Sequence, residues 1–150
     1  MMKKKVNLSG AYRRIHLISN KMPNDKGKRK YDLEERTAVF GENVIEFCKK
    51  IPNNDITKRI IPQLVAAGTA VGSNYCEADC AESSKDFIHK MSIANKEAKE
   101  AKHFIRMFSK ACPEYVEEGR KLWQEAHELN LIFTTIINKA KKTQQLNILN

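Results

Sequence analysis

The sequence predicts an all-α fold, an antiparallel up-down-up-down four-helix bundle. Three observations carry that expectation. Apolar residues recur every three or four positions through four long segments, as buried helix faces require. Glycines and prolines number only 6 and 4 in 150 residues, and the prolines are expected between the periodic segments, where they stop a helix. No segment alternates apolar and polar residues with period two, so no sheet is expected. A chain of this length is enough for one domain with a real core, and four amphipathic helices with short joints suit a bundle.

The first helix is expected to begin at Asp32, whose carboxylate can cap it, with Glu35 three residues on to complete a capping box. Leu33, Thr37, Phe40, Val44, Phe47 and Ile51 follow at alternating spacings of four and three, which marks one buried seam. Pro52 cannot continue the hydrogen-bond ladder and ends the helix. The second helix is expected from about Asp55 to Tyr75 or a little beyond, with Ile61, Leu64, Gly68, Val71 and Tyr75 on its seam. Gly68 and Gly72 share a face. Glycine costs about 1 kcal/mol inside a helix, so a close approach of another helix is the expected return.

The third helix opens at Ser83, with Asp86 in capping-box position. The fourth opens near Pro113, a good first-turn residue. Glu114, Glu117 and Glu118 lie near its positive end and Lys139, Lys141 and Lys142 near its negative end, as the helix dipole favours. Leu122, Ala126, Leu129, Phe133, Ile136 and Ala140 form its seam, and Trp123 and Ile137 widen it. The bundle is thus expected over residues 31–143, with 144–150 a frayed tail.

Residues 1–30 read as a basic, flexible extension. They hold ten Lys/Arg against Asp25 alone, while the rest of the chain carries 17 of each sign, so the net charge of +9 is that of the extension. Such an arm suits nucleic acid or another acidic surface; its bland alternative is a solvated tail. Arg13, Arg14, Lys28, Arg29 and Lys30 are its candidate contacts.

Within Ser84–Lys110 the side chains are sorted. At about 100° per residue, Phe87, Met91, Ala94, Ala98, Ala101, Ile105 and Phe108 fall within roughly 100° of arc. Lys85, His89, Lys96, Lys99, His103, Arg106 and Lys110 fall on the opposite side, along roughly 38 Å of helix. One reading is a solvated, salt-bridged face. The other is a track for phosphates, because Lys and Arg release counterions when they neutralise them. Glu97 and Glu100 flank the row. No aromatic residue interleaves with it, so base stacking is not indicated there.

Other chemistry lacks support in the sequence. Asp86-x-x-His89 and Glu100-x-x-His103 look like halves of di-iron ligand pairs, but both lie on one helix and both histidines point away from its core seam. Cys76 and Cys80 alone do not complete a zinc tetrahedron. No phosphate-cradling glycine loop, nucleophile elbow or paired-carboxylate setting is present. The expectation is a non-enzymatic protein without cofactor or metal. Cys48, Cys76, Cys80 and Cys112 lack disulfide-framework spacing, and MMKKKVNLSGAYRRIHLISN is basic without the apolar stretch of a secretory leader. Free thiols in a reducing cytoplasm are therefore expected. No apolar run approaches the ~20 residues of a membrane helix.

YDLEERTAVFGENVIEFCKKIP, followed by QLVAAGTAVGSNYCEADCAESSKDFIHKMSIANKEAKEAKHFIRMF, resembles the bacterial four-helix-bundle proteins encoded in intervening sequences of 23S ribosomal RNA genes. The likeness covers roughly residues 31–140, and AGTAVGSNY and AESSKDFIHKMSIANKEAKEA are its most specific blocks. The resemblance implies an antiparallel bundle that assembles into a ring-like homopentamer. It also implies kinship with the accessory variability determinant of diversity-generating retroelements, a basic pentamer that binds nucleic acid and its reverse transcriptase. It brings no catalytic motif. Two functions are therefore expected in this order: a homo-oligomeric binder of RNA or DNA, and a scaffold for a reverse transcriptase or another RNA-processing protein. A bundle metalloenzyme comes third.

Overall fold

A computed structural model describes residues 32–148 of the chain. The basic extension lies outside the described residues, with its candidate contacts Arg13, Arg14, Lys28, Arg29 and Lys30. Four α-helices make up the domain: α1 (Leu33–Lys50), α2 (Thr57–Asp79), α3 (Ser84–Ala111) and α4 (Val116–Ile148), with a single 3₁₀ turn at Pro113–Tyr115 before α4. Among the described residues there is no strand.

Local signals set the helix starts. The Asp32 carboxylate accepts from the N–H groups of Glu34 at 3.0 Å and Glu35 at 3.3 Å. It thereby satisfies donors that the first turn leaves without helical partners. Ser83 does the same for α3, accepting from the Asp86 N–H at 3.1 Å. Asn54, one residue ahead of the expected start, caps the turn that leads into α2. Its side-chain oxygen accepts from the N–H groups of Ile56 and Thr57 at 2.9 and 3.0 Å, and its own N–H donates to Thr57 Oγ1 at 2.9 Å. Two orphan donors are thus exchanged reciprocally, which is the logic of a capping box with threonine in place of glutamate.

Two expectations change. Pro62 sits inside α2, not between segments. It lies one turn in, where it deletes only the N–H that would reach Lys58; the Asn54 cap and the burial of Leu64 carry the helix past it. And α4 continues to Ile148 rather than fraying after residue 143. Its last buried side chain is Ala140. Beyond it the turns are built from Lys, Thr, Gln and Leu, which include good helix formers, and Thr143 Oγ1 donates to the Lys139 carbonyl at 3.1 Å.

Each helix packs chiefly on its chain neighbours, and α4 returns to α1. The seams read from the sequence meet in the middle. Leu33, Phe40, Val44 and Phe47 of α1 face Leu64, Val71 and Tyr75 of α2, the seven apolar residues of α3, and Leu122, Ala126, Leu129 and Phe133 of α4 in one cluster. Phe47 and Phe108 meet edge to face at 5.8 Å, and Tyr75 stacks on Phe133 at 6.3 Å. Ile61 is the exception on the α2 seam, half-buried at the edge of the cluster.

The small residues of α2 bring α1 close. A Cβ on Gly68 would lie 2.7 Å from Val44 Cγ2, and one on Gly72 would lie 3.4 Å from the Thr37 carbonyl oxygen. Arg36 ties the other side of α1 to α4, with Nε 2.5 Å from Glu125 Oε1 and Nη2 2.6 Å from Glu128 Oε2. Nearer the other end of α1, Lys50 pairs with Glu118 at 2.8 Å. All four cysteines are free; Cys48 and Cys112 are buried, Cys76 and Cys80 exposed.

Candidate nucleic-acid interface

Helix α3 owes its position to its apolar face. Phe87, Met91, Ala94, Ala98, Ala101, Ile105 and Phe108 are all buried. Small alanines occupy the middle of that face and large side chains its two ends. Helical geometry then dictates the opposite face. Lys85, His89, Lys96, Lys99, His103, Arg106 and Lys110 are all exposed. Among the described residues none of the seven is held in an ion pair or a side-chain hydrogen bond, and His103 only meets the neighbouring Phe104 ring at 5.3 Å.

The two other basic residues of α3 behave differently. Lys90, at the α2 border, pairs with Glu77, and that hydrogen bond and charge push its ammonium pKa up. Lys102, at the α4 border, lies 3.2 Å from His127 Nδ1 and 4.7 Å from the centre of the Trp123 ring. The Trp123 and His127 rings stack at 5.2 Å. So the cations at the seams are engaged with neighbouring helices, and those on the outer face are left to solvent. Arg36, Lys49, Lys50, Lys58 and Arg120 on the other helices also have carboxylate partners.

Charge is unequally spread over a bundle that is neutral in sum. Helix α3 carries seven Lys/Arg against Asp86, Glu97 and Glu100. The second half of α4, beyond Glu128, carries Lys139, Lys141 and Lys142 and no carboxylate. These two stretches face each other: Asn95 Nδ2 on α3 lies 3.2 Å from Thr134 Oγ1 on α4. Between them runs an open groove of about 350 Å³, lined by Asn95, Lys96, Lys99, Thr134, Asn138 and Lys141 among others. The sequence reading identified the α3 wall only. Lys141 lies near the end of the fourth helix, and nothing in the linear order sets it beside Lys96.

The other candidate chemistry is dispersed. His89 and His103 stand on the exposed face of α3, and among the described residues no three His, Cys, Asp or Glu side chains converge on a metal-sized site. Burial pushes the Cys48 thiol up to about 11, and burial followed by the charges of Glu34 and Asp79 raises Cys76. Neither is therefore a ready thiolate nucleophile. Among the described residues no helix is long and apolar enough to cross a membrane.

Comparison with known proteins agrees with this architecture. A crystal structure of a protein of unknown function from the S23 ribosomal protein family of Bacteroides thetaiotaomicron is similar. It has a TM-score of 0.65 and 25% sequence identity, covering 71% of this chain and 95% of the other. No match was found among curated proteins. Residues 29–135 match the family described as 23S rRNA-intervening sequence protein. That span takes in α1, α2, α3 and most of α4, and the chain belongs to the 23S rRNA-intervening sequence protein family.

Proposed function

We propose that the protein is a non-enzymatic, homo-oligomeric bundle that binds RNA or DNA through the basic outer face of α3, joined by the N-terminal arm. One observation carries the reading: all seven residues of the exposed α3 row stay out of ion pairs, while each other helix has at least one cation with a carboxylate partner. An ordinary solvated face pairs many of its charges; one left open over roughly 38 Å suits a run of phosphates. The resemblance implies a pentamer, in which five rows would add weak contacts by multivalency. An up-down-up-down course is supported by partner numbers that fall along α4 as they rise along α1, from Arg36 with Glu125 to Lys50 with Glu118.

Replacing Lys96, Lys99 and Arg106 together with Glu tests this. Each phosphate contact to a single strand contributes about 0.7 to the slope of log affinity against log salt. The triple variant should lose salt-sensitive binding of a labelled RNA, measured by fluorescence anisotropy, with its circular dichroism unchanged. Unaltered binding at low salt would refute the reading.

A second reading is a scaffold for a reverse transcriptase or another RNA-processing protein. It is favoured by apolar side chains on the outside of α1 and α4, where Val39, Ile45 and Leu131 are 38%, 40% and 57% exposed. The same residues could instead meet a second subunit. A protein partner retained after nuclease treatment would favour the scaffold.

A further inference from the structure

We propose that the groove between α3 and the second half of α4 is a phosphate clamp, a site that grips one backbone phosphate of the nucleic acid. The proposal rests on the nucleic-acid reading above and adds to it a second wall that the α3 row lacks. Lys96 and Lys99 come from α3 and Lys141 from α4, and no carboxylate lines the space between them. Neutral donors stand among the cations: the amides of Asn95 and Asn138 and the hydroxyl of Thr134. Cations with amide and hydroxyl donors are the set that phosphate oxygens accept from.

The floor of the groove is held in place from inside the bundle. Asn130 is 5% exposed, and its Nδ2 donates to the Asn95 carbonyl at 2.9 Å and to Asn95 Oδ1 at 2.8 Å. With its oxygen so engaged, the Asn95 amide turns its NH₂ outward, where it reaches Thr134 Oγ1 at 3.2 Å. One of its two N–H groups can serve that contact while the other remains for a ligand. Among the described residues, Asn130 Oδ1 has no donor. A buried acceptor without a partner is a net cost, and an apolar residue of the same shape would avoid it. What the cost secures is the orientation of Asn95. That is the arrangement of a binding group held by an inner residue, and it is more than an ordinary surface of lysines requires.

Charged and neutral donors leave different signatures, which makes the clamp testable in the full chain. Lys141→Ala removes a counterion-releasing contact, so its slope of log affinity against log salt should flatten by about 0.7 on a labelled single-stranded RNA. Asn138→Ala and Thr134→Val should weaken binding severalfold at constant slope, since neutral donors release no counterions. In parallel, inorganic phosphate titrated into the free protein should shift the side-chain amide resonances of Asn95 and Asn138. If Lys141→Ala leaves slope and affinity intact while Lys85→Ala and Arg106→Ala change both, the clamp is overturned and the α3 row stands. If the protein binds no RNA at low salt yet the two amides respond to phosphate, the groove is an anion site and the nucleic-acid reading falls. If the amides ignore phosphate and Lys141→Ala is silent, the clamp is refuted outright.

Discussion

Gly68→Ala should destabilise the bundle although alanine is the better helix former. The added Cβ would lie 2.7 Å from Val44 Cγ2, 2.8 Å from Cγ1 and 2.9 Å from Cβ. Carbon atoms pack best at about 3.5–4.0 Å, so the shortfall is close to 1 Å on three atoms together. Rotating Val44 cannot relieve it, because its Cβ is fixed to the α1 backbone and a β-branched side chain has one strongly preferred rotamer in a helix. The helices themselves must separate. Overpacking of this kind costs about 1–3 kcal/mol, and three rigid contacts argue for the upper half of that range. Relief of the glycine penalty returns about 1 kcal/mol. The net loss is roughly 1–2 kcal/mol, a fall in Tm of about 2–8 °C for a chain of this size.

Thermal and urea denaturation followed by helical circular dichroism, at fixed protein concentration, would measure it. Gly119→Ala is the internal control. There the nearest atoms to a new Cβ are Ile105 Cγ2 at 3.6 Å and Phe47 Cζ at 3.7 Å, both ordinary contacts. That variant should gain up to about 1 kcal/mol. Adding Val44→Ala to Gly68→Ala should recover part of the loss, a favourable coupling between the two sites. A Gly68→Ala protein as stable as the parent, or a Gly119→Ala protein equally destabilised, would refute the close-approach argument.

Three further outcomes follow from buried groups. At pH 8 a thiol-specific reagent should modify Cys76 and Cys80 readily and leave Cys48 and Cys112 until the protein unfolds, since the latter two are buried. The folded protein holds the Cys48 proton to about pH 11 where an unfolded thiol releases it near 9.0. The stability this confers is present below about pH 9 and is lost as the pH rises towards 11; Cys48→Ala should flatten that part of a stability-against-pH curve. Asn130→Leu removes the orphan oxygen and keeps the volume. The gain from losing that oxygen is offset by loss of the two bonds to Asn95, so stability should change by no more than about 1 kcal/mol in either direction while RNA binding weakens severalfold; a variant with clearly lower stability and unchanged affinity would assign Asn130 to the core alone.

Local chemistry was legible because it acts over one or two turns. The Asp32 and Ser83 caps depend on atoms two or three residues apart, and their partners are visible in the linear order. The α3 division is of the same kind. Seven apolar residues at helical spacing must share one face, and the seven cationic or imidazole residues opposite must then face water. The Asn54 cap escaped because threonine took the place where glutamate is sought, and Pro62 because a proline one turn into a well-anchored helix loses only a single hydrogen bond. The run of α4 to Ile148 escaped because polar helix formers leave no apolar period to follow.

By itself the sequence determined that there would be four helices, which stripe of each would be buried, and that α3 would turn its cations outward. Those are consequences of a 3.6-residue period acting on a single strand of chain. Only the tertiary structure decided which cations found carboxylates, that Lys102 would rest on Trp123, and that Lys141 would stand across a groove from Lys96. Such pairings join residues tens of positions apart. They depend on how far and at what angle the helices approach, which side-chain volumes such as Gly68 against Val44 set in three dimensions.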